Sequence, residues 1–110
     1  GNYPGFGVYG AAKAAVTALS ESLRIETAGL GIRVVLVEPG PFRTAFVGRS
    51  LQRAARREPA YERTVGKFGS VLRALDGRQP GDPALAAAVL VRLVREGRAP
   101  FRLPLGRYMV

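Results

Sequence analysis

Tyr9 and Lys13 stand four residues apart in Tyr9-Gly10-Ala11-Ala12-Lys13, at the head of an Ala-rich stretch. Four residues are roughly one helical turn, so a phenol and an ammonium at this spacing project from the same face, within reach of each other. A phenol ionises near pH 10 in isolation, and a fixed positive charge beside it favours the phenolate. Such a pair can hand a proton to a carbonyl oxygen or take one from an alcohol. The 17 basic residues comprise 15 Arg and 2 Lys, so a Lys one turn after a Tyr is a sparse coincidence in this chain. The chain has no Cys and no His. That removes thiol nucleophiles, disulfides, zinc fingers and every triad built on imidazole, and leaves Tyr, Lys, Ser, Asp and Glu for chemistry.

A second group of candidates is Glu38-Pro39-Gly40-Pro41-Phe42-Arg43-Thr44. Pro39 and Gly40 bend the chain, which frees the backbone groups of Phe42 and the Thr44 hydroxyl to hydrogen-bond a polar ligand. Taken alone, Pro39-Gly40 is an ordinary turn and Tyr9 an amphipathic residue at a helix start. The significance lies in finding both in one short chain, separated by one helix and one apolar strand.

These residues must be positioned by the elements around them. Gly1 to Gly7 are turn-like, with Pro4-Gly5 and Gly7. From about Val8 to Ala28, Ala12, Val16, Leu19 and Leu23 recur at helical spacing, and Gly29 and Gly31 close the helix. Ile32 to Val37 is β-branched and nearly continuous, which predicts a strand buried on both faces in a parallel sheet, stopped by Pro39-Gly40-Pro41. In open α/β sheets ligands bind beyond the carboxyl ends of the strands, where residues 39 to 44 fall. Leu51 to Arg57 and Tyr61 to Leu75 read as amphipathic helices broken around Pro59. Asp82-Pro83 supplies an N-cap and a first-turn Pro for a helix with the stripe Leu85, Val89, Leu90, Leu93 and Val94, closed by Gly97. Phe101 to Leu105 reads as a short final strand, with Pro104 marking an edge or an end. Helix, strand, helices, helix, strand: the fold class is α/β.

Length and composition bound the rest. A chain of 110 residues makes one domain at most, and 47% hydrophobic with 23% charged residues reads as globular. No apolar run approaches the ~18 residues of a membrane span, and nothing resembles a signal peptide, so the default expectation is a cytoplasmic protein. The net charge of +9 raises a nucleic-acid partner. The arginines are scattered, however, and among the densest of them (Arg43, Arg49, Arg53, Arg56, Arg57 and Arg63) only Phe46 and Tyr61 could stack on bases. A solvated basic face is the favoured reading. Gly5-Phe6-Gly7-Val8-Tyr9-Gly10 matches the dinucleotide pattern G-x-G-x-x-G. That pattern works where a strand delivers the chain into a tight turn, and here only four residues precede Gly5. These glycines are expected to loosen the approach to the Tyr9 helix.

Over essentially its whole length the chain resembles the short-chain dehydrogenase/reductase superfamily. Tyr9 to Ala15 looks like the family's active-site helix, and Ile32 to Gly40 like its sixth strand and Pro-Gly motif, with Thr44 in the place of the motif's Thr. Gly81-Asp82-Pro83 with its helix, and Phe101 to Gly106, are similar to the last helix and strand. The resemblance implies the C-terminal half of a Rossmann-type doubly wound parallel sheet, residues 1–110 forming part of an NAD(P)-binding domain. It implies an oxidoreductase that reduces a carbonyl or oxidises an alcohol by hydride transfer. Tyr9 would be the general acid/base, and Lys13 would favour the Tyr9 anion and hydrogen-bond the nicotinamide ribose. Pro39, Gly40, Phe42 and Thr44 would line the nicotinamide end. Residues 45 to 78 would be the substrate loop, and the helix bearing Val16, Leu19 and Leu23 would help form a homo-oligomer interface.

The family's Gly-rich cofactor turn, its structural Asn and its catalytic Ser would all lie before Gly1, as would half the sheet. The chain is therefore expected to be the later part of something longer, inactive alone, with its apolar faces open. Whether the cofactor is NAD or NADP is not written in these residues. Two other classes stand beside this one: a non-catalytic interaction module retaining half the fold, and a basic nucleic-acid-binding domain.

Overall fold

A computed structural model of the chain describes residues 2–106. Tyr3 to Phe6 form a turn closed by Phe6 N–H donating to the Tyr3 carbonyl at 3.0 Å, with Pro4 second and Gly5 third at φ +81°. Pro fixes the second position of such a turn, and only Gly takes the third without strain. The turn feeds α1 (Gly7–Glu26), whose Ala content and freedom from Pro suit a helix. Thr27 ends it, its hydroxyl donating to the Leu23 carbonyl at 2.8 Å. A 3₁₀ turn over Ala28–Leu30 and a left-handed Gly31 follow.

β1 (Leu36–Pro39) and β2 (Arg102–Leu105) pair in parallel, with Leu36 opposite Arg102 and Pro39 opposite Leu105. Parallel strands need a long crossover, and residues 40–101 provide it through α2 (Lys67–Leu75) and α3 (Pro83–Glu96). The α3 start is as the sequence predicts: the Asp82 carboxylate accepts from Ala84 N–H at 2.8 Å, with Pro83 in the first turn. Gly97 closes the helix in the left-handed region at φ 65°.

Two links hold α1 to the sheet. The Arg24 guanidinium lies 4.9 Å from the Phe101 ring centroid. The Arg102 guanidinium bridges Glu21 of α1 at 2.7 Å and Glu38 of β1 at 2.6 Å. Its hydrogen bonds to Glu21 and then Glu38 raise the Arg102 pKa above its ordinary value, so it stays charged at any working pH.

Two sequence expectations need correction. The strand does not run from Ile32 and is not buried on both faces: it starts at Leu36, and Ile32 is 54% exposed. Among the described residues β1 has one partner strand, so the ladder extends no further than β2 does, and the other side of the apolar run is uncovered. Leu51 to Arg57 is irregular rather than helical. Seven residues fall short of a self-supporting helix, and two of its arginines turn to partners outside the segment. Arg56 pairs with Glu58 at 2.7 Å and Arg57 with Glu62 at 2.6 Å. The Tyr61–Leu75 segment is helical but not uniform. A 3₁₀ turn at Pro59–Tyr61 passes into a π turn at Glu62–Gly66 before α2 begins.

No described hydrophobic residue is buried. The radius of gyration is 16.9 Å, against about 13 Å for a closed chain of this length. The accessible area is 8773 Å², against about 5,900 Å² for a closed fold of 11.8 kDa. The open apolar faces anticipated from the sequence are what the structure shows.

Candidate active site

The turn at residues 3–6 sets Phe6 at the head of α1, beside the first turn that carries Tyr9. The Phe6 and Tyr9 rings meet edge to face at 5.3 Å between centroids. Lys13, one turn further along α1, holds its Nζ 5.5 Å from the Tyr9 ring centroid. The predicted juxtaposition of phenol and ammonium is present. Neither the Tyr9 hydroxyl nor the Lys13 ammonium is hydrogen-bonded to another described residue, and Tyr9 is 44% exposed. Both polar ends are therefore available to a ligand.

The Pro39–Thr44 segment follows directly from β1. Gly40 N–H donates to the Leu105 carbonyl at 2.8 Å, which holds the bend to the end of β2. Phe42 then bridges Gly81: Gly81 N–H donates to the Pro41 carbonyl at 3.0 Å, and Arg43 N–H to the Gly81 carbonyl at 2.9 Å. The fit is close, since a Cβ on Gly81 would stand 2.6 Å from the Phe42 ring and 2.8 Å from the Pro41 oxygen. The Arg43 guanidinium donates to the Gln79 carbonyl at 2.9 Å and lies 3.7 Å from Asp82, tying the bend to the start of α3. A shallow cleft of about 440 Å³ opens beyond the strand ends, walled by Phe42, Gly81, Asp82, Leu85, Leu105 and Gly106. Tyr9 and Lys13 are not part of its wall.

Thr44 joins the two groups of candidates. Its hydroxyl oxygen accepts from Phe46 N–H at 3.3 Å, and the turn this makes brings the Phe46 ring to 5.7 Å from Tyr9. Tyr9, Lys13 and the loop after Pro39-Gly40 thus share one neighbourhood, although 25 or more residues separate them in the chain.

The donor set fits the nicotinamide end of a dinucleotide. Phe42 N–H makes no hydrogen bond to a described residue, the Thr44 hydroxyl proton is unspent because its oxygen is the acceptor toward Phe46, and Lys13 adds an ammonium. Two neutral donors suit a carboxamide oxygen, and a cation suits ribose hydroxyls. Two glycines of the Gly5–Gly10 pattern make close contacts, and Gly7 stands in open space. Gly5 lies against Val65, and Gly10 lies beneath the Asn2 side chain where a Cβ would collide with it.

Sequence reasoning missed several neighbours. Phe6 and Tyr3 lie three and six residues before Tyr9, a spacing that could have been noticed. Phe68 stacks on Tyr3 at 5.1 Å and meets Phe6 edge to face at 5.8 Å, and no local signal announces it. Gln79 was also missed: it is 2% exposed, and its side-chain amide makes no hydrogen bond to a described residue.

Comparison with known proteins identifies the family. Residues 1–55 match the family described as short chain dehydrogenase. Oxidoreductase BOA17 of Botryotinia fuckeliana (strain B05.10) is 37% identical over 103 residues, covering 94% of this chain and 37% of the relative. The uncharacterized oxidoreductase YusZ of Bacillus subtilis (strain 168) is 30% identical over 109 residues, covering 96% and 39%. A crystal structure of a short-chain dehydrogenase from Streptomyces avermitilis is 41% identical and superposes with a TM-score of 0.78, covering 96% of this chain and 37% of that one. The chain thus spans somewhat over a third of the length of these relatives. It shares the α/β architecture of helices on a parallel sheet with the Streptomyces structure. On the matched residues and this shared architecture, the chain belongs to the short-chain dehydrogenase family.

Proposed function

We propose that residues 2–106 form the nicotinamide and substrate side of an NAD(P)-dependent oxidoreductase that interconverts a small carbonyl compound and its alcohol. The observation that supports this most is the meeting of Tyr9 and Lys13 with the Pro39–Phe46 loop through the Phe46 ring. The names of the relatives, oxidoreductases among them, point the same way.

A bound nicotinamide nucleotide supplies or accepts the hydride. Tyr9 acts on the proton: in reduction its Oη–H is given to the carbonyl oxygen as that oxygen gains charge, and the phenolate is reprotonated from water. In oxidation the same oxygen removes the alcohol proton. Lys13, whose ammonium lies 5.5 Å from the Tyr9 ring centroid, hydrogen-bonds ribose hydroxyls. Phe42 N–H and the Thr44 hydroxyl orient the carboxamide, while Pro39 and Gly40 hold that loop at the end of β1. Residues 45 to 78 form the substrate side. The polypeptide that turns over works as a homo-oligomer in the cytoplasm, with the exposed face of Val16, Leu19 and Leu23 contributing contacts. NAD and NADP are equal alternatives for this site.

The test is carbonyl-dependent oxidation of NADH or NADPH by a turnover-competent preparation carrying this sequence, together with nucleotide titration. Oxidation that requires the carbonyl, and binding weakened by Lys13→Met and Thr44→Val, is the expected result. Nucleotide binding indifferent to both substitutions removes the site assignment. The second reading, an interaction module, draws on the uncovered area and the absence of buried hydrophobic residues among the described ones. It predicts self-association with no response to either nucleotide.

A further inference from the structure

Tyr9 is one ring in a strip of five. In spatial order the rings are Phe46, Tyr9, Phe6, Phe68 and Tyr3, with neighbouring centroids 5.7, 5.3, 5.8 and 5.1 Å apart. Four separate segments contribute: the loop after β1, the first turn of α1, the turn before it, and α2. The π turn at Glu62–Gly66 immediately precedes α2 and sets Val65 against Gly5, which keeps Phe68 over the Tyr3–Phe6 turn. π turns recur where a helix must present a side chain at a site.

Phe46 is 41% exposed, Tyr9 44% and Tyr3 58%, so ring surface remains open beside the phenol hydroxyl and at the far end. The Lys13 ammonium lies 5.5 Å from the Tyr9 ring centroid. The surface next to the Tyr9 hydroxyl is thus π-rich, with rings inclined at 82° (Phe6 and Tyr9) and 50° (Tyr9 and Phe46) and the Lys13 ammonium beside them. Aromatic faces and edges attract other rings in offset or edge-on geometry beyond what area burial provides.

We propose that the substrate is an aryl carbonyl compound, a planar ring system bearing an aldehyde or ketone, with its rings on Phe46 and Phe6 and its carbonyl oxygen at the Tyr9 hydroxyl. This rests on the proton-transfer role of Tyr9 for the orientation of the carbonyl, but not for recognition of the ring. Phe46 and Phe68 are specificity determinants: Phe46 by direct contact, Phe68 by holding Phe6 in place.

The experiment compares binding of 2-acetylnaphthalene with that of its saturated decalin counterpart to a turnover-competent preparation carrying this sequence, by NMR titration of the aromatic resonances. The chain is expected to prefer the naphthyl ketone by roughly two- to tenfold, the range that ring–ring contacts add. Phe46→Leu and Phe68→Leu keep apolar bulk and remove the ring face, and each should bring that ratio toward one. Equal affinity for the two ketones, no binding of either, or a preference untouched by both substitutions overturns the proposal. Tyr9→Phe keeps the ring and should keep the preference. A failed proton-transfer role is therefore read from turnover, and a failed aryl site from the binding ratio.

Discussion

Replacing Tyr9 by Phe deletes one oxygen, and the structure says what that oxygen does not do. The contacts of Tyr9 with Phe6 at 5.3 Å, Phe46 at 5.7 Å and Lys13 at 5.5 Å are all made by the ring. The hydroxyl holds no other described residue, and the side chain is 44% exposed. Stability should therefore change by no more than about 0.5 kcal/mol, as for a surface substitution away from special features. Catalysis should respond very differently. Loss of a positioned proton donor costs roughly 10²- to 10⁴-fold, or about 2.7–5.4 kcal/mol of activation free energy. The assay is steady-state carbonyl reduction in a turnover-competent preparation, with nucleotide affinity and the circular dichroism spectrum measured on the same sample. The expected pattern is kcat reduced at least 100-fold, with spectrum and nucleotide affinity unchanged. A variant that keeps more than a tenth of the parental kcat refutes the assignment of Tyr9 as proton donor. A collapse of nucleotide affinity in step with activity refutes it too, because the hydroxyl would then be a binding group.

Three further outcomes follow from individual contacts. Gly81→Ala would place a methyl 2.6 Å from the Phe42 ring and 2.8 Å from the Pro41 oxygen. It should cost about 1–3 kcal/mol by overpacking and weaken nucleotide binding through the displaced Phe42–Thr44 loop; unchanged affinity in a nucleotide titration would show that the loop is not part of the site. Asp82→Ala removes the cap on Ala84 N–H and should lower stability by about 1 kcal/mol in a denaturant titration. Asp82→Asn keeps the cap and loses only the half-exposed pair with Arg43, a change below about 1 kcal/mol, so equal losses in the two variants would mean that the pair, not the cap, matters. The 110-residue chain should light up an apolar-surface dye and self-associate in light scattering, given its 8773 Å² of accessible area; a monomer that leaves the dye dark would show those faces to be covered in solution.

Local chemistry made much of this legible. Asp82-Pro83 and Gly97 bound α3 as the cap rules require, because caps depend on backbone groups within one turn. Likewise α1 begins at Gly7, one residue from the predicted start, since Ala-rich spacing is a local property. Strand length was less legible. Ile32 to Val35 have the composition of a strand, yet a strand exists only where another backbone pairs with it, and β2 reaches Leu36 and no further. The Leu51–Arg57 segment failed for a related reason: seven residues need tertiary contacts to stay helical, and its arginines found acids elsewhere.

For the site, the division falls along the same line. Residue types and one-turn spacing were enough to choose Tyr9 and Lys13 as candidates for a proton-handling pair and to place Pro39, Gly40, Phe42 and Thr44 at a strand end, because those relations span a few residues of covalent chain. Chain folding alone brought Phe46 to Tyr9, Gly81 under Phe42 and Phe68 onto the Tyr3–Phe6 turn. Each of these contacts joins residues tens of positions apart, and no short-range rule of periodicity or propensity encodes where such segments meet. They meet because a Thr44-stabilised turn, a parallel bridge and a π turn aim them at one another.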